Sequence, residues 1–381
     1  HVHHEDRALD ARELVVVHLS ALDRLHDDAD RRVRQLSTKS QFVALLHAQL
    51  SGAVSLREIE ATMASHETRL YHLGVSAPKR STLADANACR PAAVFAQMFG
   101  VLLKQAHSGL RKASKDAIRL IDSSRITLNA LSRGWAHYDA TCDGMKLHVV
   151  YDPDAIMPVH FAVTPARTND MVAAKQMPIE PGATYVFDMG YYSFMWWGEL
   201  DARGCRFVTR LKPNTPTRLV EERMVAQGGA VISDRIVMLP KRLQKTRSHR
   251  LGEKPVREVV IGSGKTLRLV TNDLTSPAED IAGLYKTRWE IELFFRWIKQ
   301  TLKIRKFLRT SENAVRIQIA VALIAYLLLR MAHAVQSTIP SLLAFTRLVR
   351  ANLMHLRNIH DLDRPLPRKT FDPDQHEFAL C

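Results

Sequence analysis

The sequence predicts a mixed α/β fold preceded by an all-α N-terminal segment, and three observations support this prediction. Apolar side chains recur at helical spacing within residues 10 to about 100, as at Phe42 and Leu46. Residues 117–212 begin with strand-like runs and then alternate strand and helix, which is typical of a mixed sheet. Residues 213–275 add short strand-forming segments in a basic context. We therefore expect a mixed sheet followed by a basic, strand-forming block.

The individual elements follow from local patterns. Residues 146–152 and 157–164 are apolar runs joined by a Pro-Asp turn, which predicts two paired strands. The Ser-Pro-Ala-Glu sequence at residues 276–279 is typical of a helix start, because serine caps well and proline suits the first turn. Further strands are predicted at residues 117–122, 184–188, 205–211, 231–239, 256–261 and 267–271. Helices are predicted at residues 191–202, 277–303 and 314–335.

The composition indicates a polyanionic partner. The chain has 381 residues and a formal net charge of +15. Residues 203–268 hold 16 Lys or Arg against five Asp or Glu, so much of the excess lies in one block. Nucleic acid or an anionic membrane surface would match this charge; a basic protein without such a partner, with the block as a solvated face, is the alternative. Because the block also forms strands, we favour a DNA-facing surface.

Several protein classes are excluded by motifs that the sequence lacks. No CxxC pair occurs, so no zinc ribbon or dithiol site is available, and scattered cysteines fit a reducing cytoplasm. No GxxxxGK[ST] loop occurs, which excludes a P-loop kinase or nucleoside triphosphatase. The most apolar run, residues 319–329, is too short to span a bilayer, so we expect a core helix and no membrane partner. The four cysteines are Cys89, Cys142, Cys205 and Cys381.

Three carboxylates stand at unusual positions. Asp122 and Asp188 each end a predicted strand, and aspartate is a poor strand former that often has a functional role at the end of a buried strand. Glu292 lies on the predicted helix 277–303. Two aspartates and one glutamate form a suitable ligand set for two magnesium ions, since hard carboxylate oxygens suit Mg²⁺ or Mn²⁺.

Polar groups form one stripe along the helix that carries Glu292. At about 100° per residue, Tyr285, Arg288, Glu292, Arg296 and Lys299 fall within a stripe roughly 80° wide. One interpretation is a row of surface salt bridges, each contributing a few tenths of a kcal/mol. The other is a carboxylate flanked by cations that neutralise DNA phosphate.

The spacing of Tyr285, Arg288, Glu292 and Lys299 resembles the YREK signature of bacterial insertion-sequence transposases, in the group called insertion-sequence family four. The resemblance extends over roughly residues 35 to 335. Further segments that resemble this family are residues 81–87, 121–124, 144–148, 164–170 and 187–192.

The resemblance implies a ribonuclease-H-like catalytic core interrupted by a β-rich insertion. We expect the core at residues 113–212 and 276–335, with the basic insertion at 213–275. A helical DNA-binding domain is expected at 1–112 and a helical tail at 336–381. Residues 78–82 form a short basic link between predicted helices, which fits a helix-turn-helix DNA reader and a plain helical bundle equally.

The resemblance also implies a DNA transposase that cuts and rejoins the ends of an insertion sequence by two-metal phosphodiester hydrolysis and strand transfer. Asp122, Asp188 and Glu292 would hold two Mg²⁺ ions, for which Mn²⁺ can substitute. The substrates would be double-stranded terminal repeats and target DNA, handled by a homodimer in the cytoplasm. The expected DNA-binding residues are Tyr285, Arg288, Lys299, Arg296, Arg210 and Lys212.

Two other functions remain open from the residues: a DNA-binding protein that has lost catalysis, and a ribonuclease-H-like nuclease that cuts without joining. No tryptophan lies between residues 203 and 275, where hairpin-forming relatives are expected to stack a flipped base, so a hairpin step is not predicted. We interpret Trp289 and Trp297 as packing residues near the site.

Overall fold

A computed structural model describes residues 36–110, 117–128, 132–136, 143–226, 228–240, 250–263, 265–302, 307–336, 338–353 and 362. The predicted helical residues 10–35 and the end of the predicted tail lie outside these described residues. The architecture is mixed α/β, as predicted, and is organised around one large mixed sheet.

The sheet contains nine strands in the order β3-β2-β1-β4-β5-β9-β8-β7-β6. β1 runs parallel to β4, β4 runs parallel to β5, and the remaining neighbours are antiparallel. The strands are β1 Ile118–Leu128, β2 Asp143–Asp152, β3 Met157–Pro165, β4 Thr184–Phe187, β5 Arg206–Arg210, β6 Arg218–Arg223, β7 Val231–Met238, β8 Pro255–Ser263 and β9 Lys265–Thr271.

Two strand predictions need correction. β1 does not end at Asp122, because its antiparallel pairing with β2 continues six residues further to Leu128. β6 was not predicted; nearly all of its residues are exposed, so it lacks the apolar alternation that marks a half-buried strand. The other predicted strands are confirmed within two or three residues, and β6 to β9 lie in the basic block of residues 213–275.

The sheet separates two hydrophobic clusters because neighbouring side chains on a strand point to opposite faces. On β1, Leu120 belongs to one cluster and Ile121 to the other. Helix α8, Phe194–Ala202, covers the Ile121 face with its buried Trp196 and Trp197. The opposite face is covered by helices that follow the insertion and by those of the N-terminal part.

Residues 36–110 are helical, as predicted. Their helices are α1 Thr38–Ser51, α2 Leu56–Ala64, α3 Glu67–Leu70, α4 Arg80–Cys89 and α5 Ala92–Leu110; α6 Arg133–Ala136 and α7 Asp170–Ala174 follow within the sheet region. α1 and α5 pack on a long helix near the end of the chain, α11, Glu312–Val335, in one continuous core. Asn313 fixes this contact, since its amide donates to the carbonyl oxygen of Arg90 at 2.7 Å.

The predicted helix 277–303 is interrupted. It consists of α9, Ala278–Thr287, and α10, Trp289–Thr301, with Arg288 at the junction. Two tighter turns cause the break, in which the amide of Arg288 donates to Tyr285 and that of Ile291 to Arg288. The prediction of a continuous helix was therefore wrong, although the polar residues remain close to the junction.

α11 begins at Glu312 and is followed by α12, Leu342–Ala351. By length and composition α11 could cross a membrane, so the expectation that it is too short was wrong. However, 83% of its most apolar stretch is buried inside the protein, which is the behaviour of a core helix.

Candidate active site

Asp122 and Asp188 lie side by side on neighbouring strands. The parallel ladder of β1 and β4 ends with Ile121 opposite Phe187, so the two aspartates take the next position on each strand. Neighbouring strands are about 4.8 Å apart, which places both carboxylates at one edge of the ladder. Asp188 follows β4 directly, as predicted.

The backbone fixes each of these carboxylates. Asp122 Oδ1 accepts a hydrogen bond from the amide of Ser123 at 2.7 Å. Asp188 Oδ1 accepts one from the amide of Gly190 at 2.8 Å. A Cβ at residue 190 would lie 2.9 Å from that same oxygen, so the close approach requires glycine.

Arg288 connects Glu292 to the aspartates. Its guanidinium lies 2.6 Å from Glu292 Oε1 and 3.6 Å from Asp122 Oδ2. The side chains of Arg288 and Asp122 are 15% and 18% exposed, so this is a half-enclosed cluster and not the surface salt-bridge row considered from the sequence. Arg296, the other cation considered for that row, is exposed and makes no ion pair with a described residue.

Burial and neighbouring carboxylates make Asp122 hard to ionise. Burial is the largest cause that raises its pKa, to about 7, and the charges of Asp188 and Glu292 act in the same direction. The Ser123 amide and Arg288 oppose this rise in pKa without cancelling it. A cation bound here would favour the ionised form.

The described residues contain no group of three His, Cys, Asp or Glu side chains close enough together to hold a metal ion as they stand. Arg288 contacts both Asp122 and Glu292. The donor chemistry nevertheless fits a divalent cation, because the three acids offer hard oxygen ligands. Burial, and then the neighbouring carboxylates, raise the pKa of Asp122, and a cation would offset both effects.

Two tyrosine rings near the carboxylates contact positively charged side chains. The Tyr285 ring lies 5.9 Å from the Arg210 guanidinium and 5.8 Å from that of Arg288, measured to the ring centroid. Burial raises the pKa of Tyr285, and the positive charges of Arg210 and Arg288 oppose this rise. Further out, the exposed Lys212 ammonium lies 4.6 Å from the centroid of the Tyr192 ring.

Lys299 reaches the same edge of β1 from α10. Its ammonium donates to Ser124 Oγ at 2.6 Å, two residues beyond Asp122. Thus Tyr285, Arg288 and Lys299 all lie around the carboxylates, with Arg210 behind Tyr285.

Asp170, at the start of α7, is a residue of this region that was not assigned a role from the sequence. Its carboxylate accepts hydrogen bonds from Ser123 and Lys146. A signal was present, since residues 164–170 were among the segments that resemble the transposase family, but the segment contains no strand or helix pattern that places Asp170 near Asp122.

The two tryptophans differ. Trp297 packs edge-to-face on Tyr326 with ring centroids 5.0 Å apart, as expected for a packing residue. Trp289 is 51% exposed, so its interpretation as a packing residue was wrong. It is the first residue of α10 and its neighbour Arg288 points inward, which leaves the indole on the outer side of the turn.

Part of the positive charge in residues 203–268 is neutralised locally. Among the described residues, six of its cations form ion pairs with carboxylates, so the residue count overstates the unpaired positive charge. These pairs are Arg206–Asp273, Arg223–Glu221, Arg235–Glu222, Lys254–Asp201, Arg257–Asp234 and Arg268–Glu258.

Comparison with known proteins places the chain in a family. Residues 113–328 match the family "Transposase DDE domain", and residues 18–76 match a domain of unknown function, DUF4372. The chain is 42% identical over 314 residues to "Putative transposase y4zB" of Sinorhizobium fredii, covering 79% of this chain and 86% of that protein. It is 32% identical over 219 residues to "Probable transposase for insertion sequence element IS5377" of Geobacillus stearothermophilus, covering 56% of each.

A solved structure is also similar: the cryo-EM structure of the piggyBac transposase synaptic complex with hairpin DNA. It has a TM-score of 0.46 and 10% identity, and the alignment covers 95% of this chain and 84% of that chain. The family match over more than half of the chain and the Sinorhizobium relative are sufficient for the assignment. This chain belongs to the DDE transposase family, whose members are DNA-cutting and strand-joining enzymes that generally use divalent metal ions.

Proposed function

We propose that this transposase cuts and rejoins the ends of an insertion sequence at a two-metal site formed by Asp122, Asp188 and Glu292. The observation that carries the proposal is geometric. Asp122 and Asp188 take adjacent positions at the end of the β1–β4 ladder, and the Arg288 guanidinium lies 2.6 Å from Glu292 Oε1 and 3.6 Å from Asp122 Oδ2.

The donor set favours Mg²⁺, with Mn²⁺ as a substitute, because all three ligands are carboxylates. When bound, a pair of such ions activates a water or 3′-hydroxyl nucleophile and stabilises the leaving oxygen. The protein's part is to hold the acids in place: β1 fixes Asp122, the turn after β4 fixes Asp188, and the start of α10 carries Glu292. We infer a ribonuclease-H-like arrangement for strands β1 to β5 on this basis.

The cations around the acids suit a DNA backbone. Arg288 and Lys299 stand on either side of Glu292 on the chain, and both reach toward β1. Tyr285 and Arg210 extend this positive edge, so phosphates next to the cut would be neutralised beside the acids. Exposed Arg296 and Lys212 would contact DNA further from the cut.

The remaining parts of the proposal concern assembly. Pairing two transposon ends calls for at least two copies of the chain, so we propose a homodimer on DNA. We also propose DNA binding by the N-terminal helices, residues 1–112, and a separate insertion and tail at 213–275 and 336–381. A chromosomal DNA substrate implies action in the cytoplasm.

The test is cleavage of a plasmid that bears the flanking element ends, in the presence of Mg²⁺. Asp122→Ala, Asp188→Ala and Glu292→Ala should each lower end cleavage about a thousandfold or more while DNA binding persists. The matched control is Glu290→Ala on the same helix. The pKa of Glu290 is raised by burial and by the charge of Asp154, and none of the three acids contributes to this rise.

The products separate this function from the two alternatives. A transposase yields both cut ends and strand-transfer products on a supercoiled target. A nuclease would yield cut ends alone, and a DNA-binding protein without catalysis would show no difference between the parent and Asp188→Ala.

A further inference from the structure

A polar cluster lies behind the proposed site, on the opposite face of the sheet. Side chains alternate along β1, so Asp122 shares the face of Leu120, whereas Ser123 shares that of Ile121. α7, which begins at Asp170, packs on this second face through Ala173 and Ala174. Asp170 therefore approaches β1 from behind, while Glu292 and Arg288 approach it from the front.

Asp170 ties together two strands. Its Oδ1 accepts a hydrogen bond from the Ser123 hydroxyl at 2.9 Å and one from the Lys146 ammonium at 3.1 Å. Lys146 also donates to the carbonyl oxygen of Thr168, which anchors it independently at 2.9 Å. His148, two residues along β2, places its Nδ1 3.7 Å from the same carboxylate oxygen. We call Ser123, Lys146, His148 and Asp170 the rear brace.

Asp170 also faces the turn that carries Asp188. A Cβ built at Gly190 would lie 3.5 Å from Asp170 Oδ2 and 2.9 Å from Asp188 Oδ1. Tyr191 is buried in this turn. Burial is the largest cause that raises the pKa of its hydroxyl, and the charges of Asp122, Asp170 and Asp188 raise it further. The rear brace is thus adjacent to both aspartates of the proposed site.

Two buried polar atoms are directed into the rear brace without a hydrogen-bond partner among the described residues. They are His148 Nδ1 and the Tyr191 hydroxyl, on side chains 0% and 1% exposed, for which only longer contacts to Asp170 and Ser123 are available. Buried polar groups of this kind beside several carboxylates are typical of a functional site.

We propose that Asp170 is a positioning residue, which holds Ser123 so that the Ser123 amide fixes the carboxylate of Asp122 for cation binding. This inference rests on the proposed function, because it assumes that Asp122 is a metal ligand. The Ser123 residue links the two faces: its hydroxyl donates backward to Asp170 and its amide donates forward to Asp122 Oδ1 at 2.7 Å. Partners that orient metal ligands in this way commonly change metal affinity by about tenfold or more when removed.

The experiment measures Mn²⁺ binding to the full chain without DNA, by the electron paramagnetic resonance signal of the free ion. Asp170→Asn and Ser123→Ala should each raise the dissociation constant about tenfold, with little change in the melting temperature of the cation-free protein. The double variant should bind no more weakly than the weaker single variant, because both changes act on the same hydrogen bond: alanine lacks the donor, and the neutral asparagine oxygen accepts more weakly than a carboxylate. Asp201→Asn is the matched control, since Asp201 also pairs with a lysine, Lys254, but on α8.

The two variants separate positioning from charge. Ser123→Ala removes the contact without changing the net charge, so normal Mn²⁺ binding by this variant would overturn the positioning role even if Asp170→Asn bound weakly. It also carries the test if Asp170→Asn does not fold. The proposed function fails separately, if the parent binds Mn²⁺ no better than Asp122→Ala.

Discussion

Two regions of the sheet use the same charged residue types in opposite ways. In the extension formed by β6 to β9, charges are paired and enclosed: Arg257 and Asp234, 3% and 5% exposed, make two hydrogen bonds of 2.7 Å. At β1 and β4, Arg288 is shared by Asp122 and Glu292, Asp188 lies beside them, and the pKa of Asp122 is raised to about 7.

This difference separates stability from function. In a buried ion pair with complete hydrogen bonding, each charge is neutralised by its partner, so neither charge is available to bind a ligand. A cluster with more carboxylates than paired cations is costly for the fold and available to a bound cation. The predictions below test whether the two regions respond in these opposite ways.

The largest effect is expected in the extension. Arg257→Met leaves Asp234 buried without its partner, which should lower the free energy of unfolding by about 3–5 kcal/mol. Urea unfolding of the metal-free protein measures this change. A loss of less than about 1 kcal/mol would show that the fold of the extension does not depend on the Arg257–Asp234 pair.

At the proposed site, removing a charged group should raise the free energy of unfolding instead of lowering it. The raised pKa of Asp122 means that its folded form is stabilised by protonation, an advantage fully present below the ordinary pKa near 3.8 and lost as the pH rises through 7. Asp122→Asn should therefore stabilise the metal-free protein at pH 8, by on the order of 3 kcal/mol more than at pH 5. Thermal unfolding at both pH values in EDTA measures this; equal effects would contradict the raised pKa.

Arg288 should show opposite effects on cation binding and on cleavage. Arg288→Met removes the competitor for Asp122 and Glu292, so Mn²⁺ affinity should rise. End cleavage should nevertheless fall about a hundredfold, because the donor proposed to bind DNA phosphate is lost. Lys286→Met, an exposed neighbour on α9, is the matched control. A fall in both quantities would assign Arg288 a structural role.

The smallest effect is expected on the surface of the extension. The Arg235–Glu222 pair is 45% and 60% exposed, so solvent screens it. Glu222→Gln should change the free energy of unfolding by less than about 0.5 kcal/mol, measured beside Arg257→Met in the same urea series. A larger loss would mean that exposed pairs also contribute to closing the extension.

The sequence predicts elements better than it predicts their convergence. β2, β3 and α11 carry apolar patterns of sufficient length, so each was located within two or three residues. β1 was cut short at Asp122 because Ser123 and Ser124 are polar, and their roles come from tertiary partners, Asp170 and Lys299. Local patterns cannot contain such contacts.

The residues at the front of the site were predicted from their spacing along the chain. The helix breaks at Arg288, but the turn still brings Tyr285 and Glu292 to the same junction. Asp170 could not be assigned in this way. Its position depends on α7 crossing behind β1, which is a property of the chain path and not of any periodic pattern.

The burial of α11 by the N-terminal helices has a practical consequence for expressing fragments of the protein. α1 and α5 conceal an apolar helix of 24 residues, so a fragment that starts at residue 113 would present this surface to water. Such a truncated product should precipitate on expression or require detergent. Co-expression of residues 1–112 as a separate polypeptide should return it to the supernatant, which would make the N-terminal helices an obligatory folding partner of the remainder.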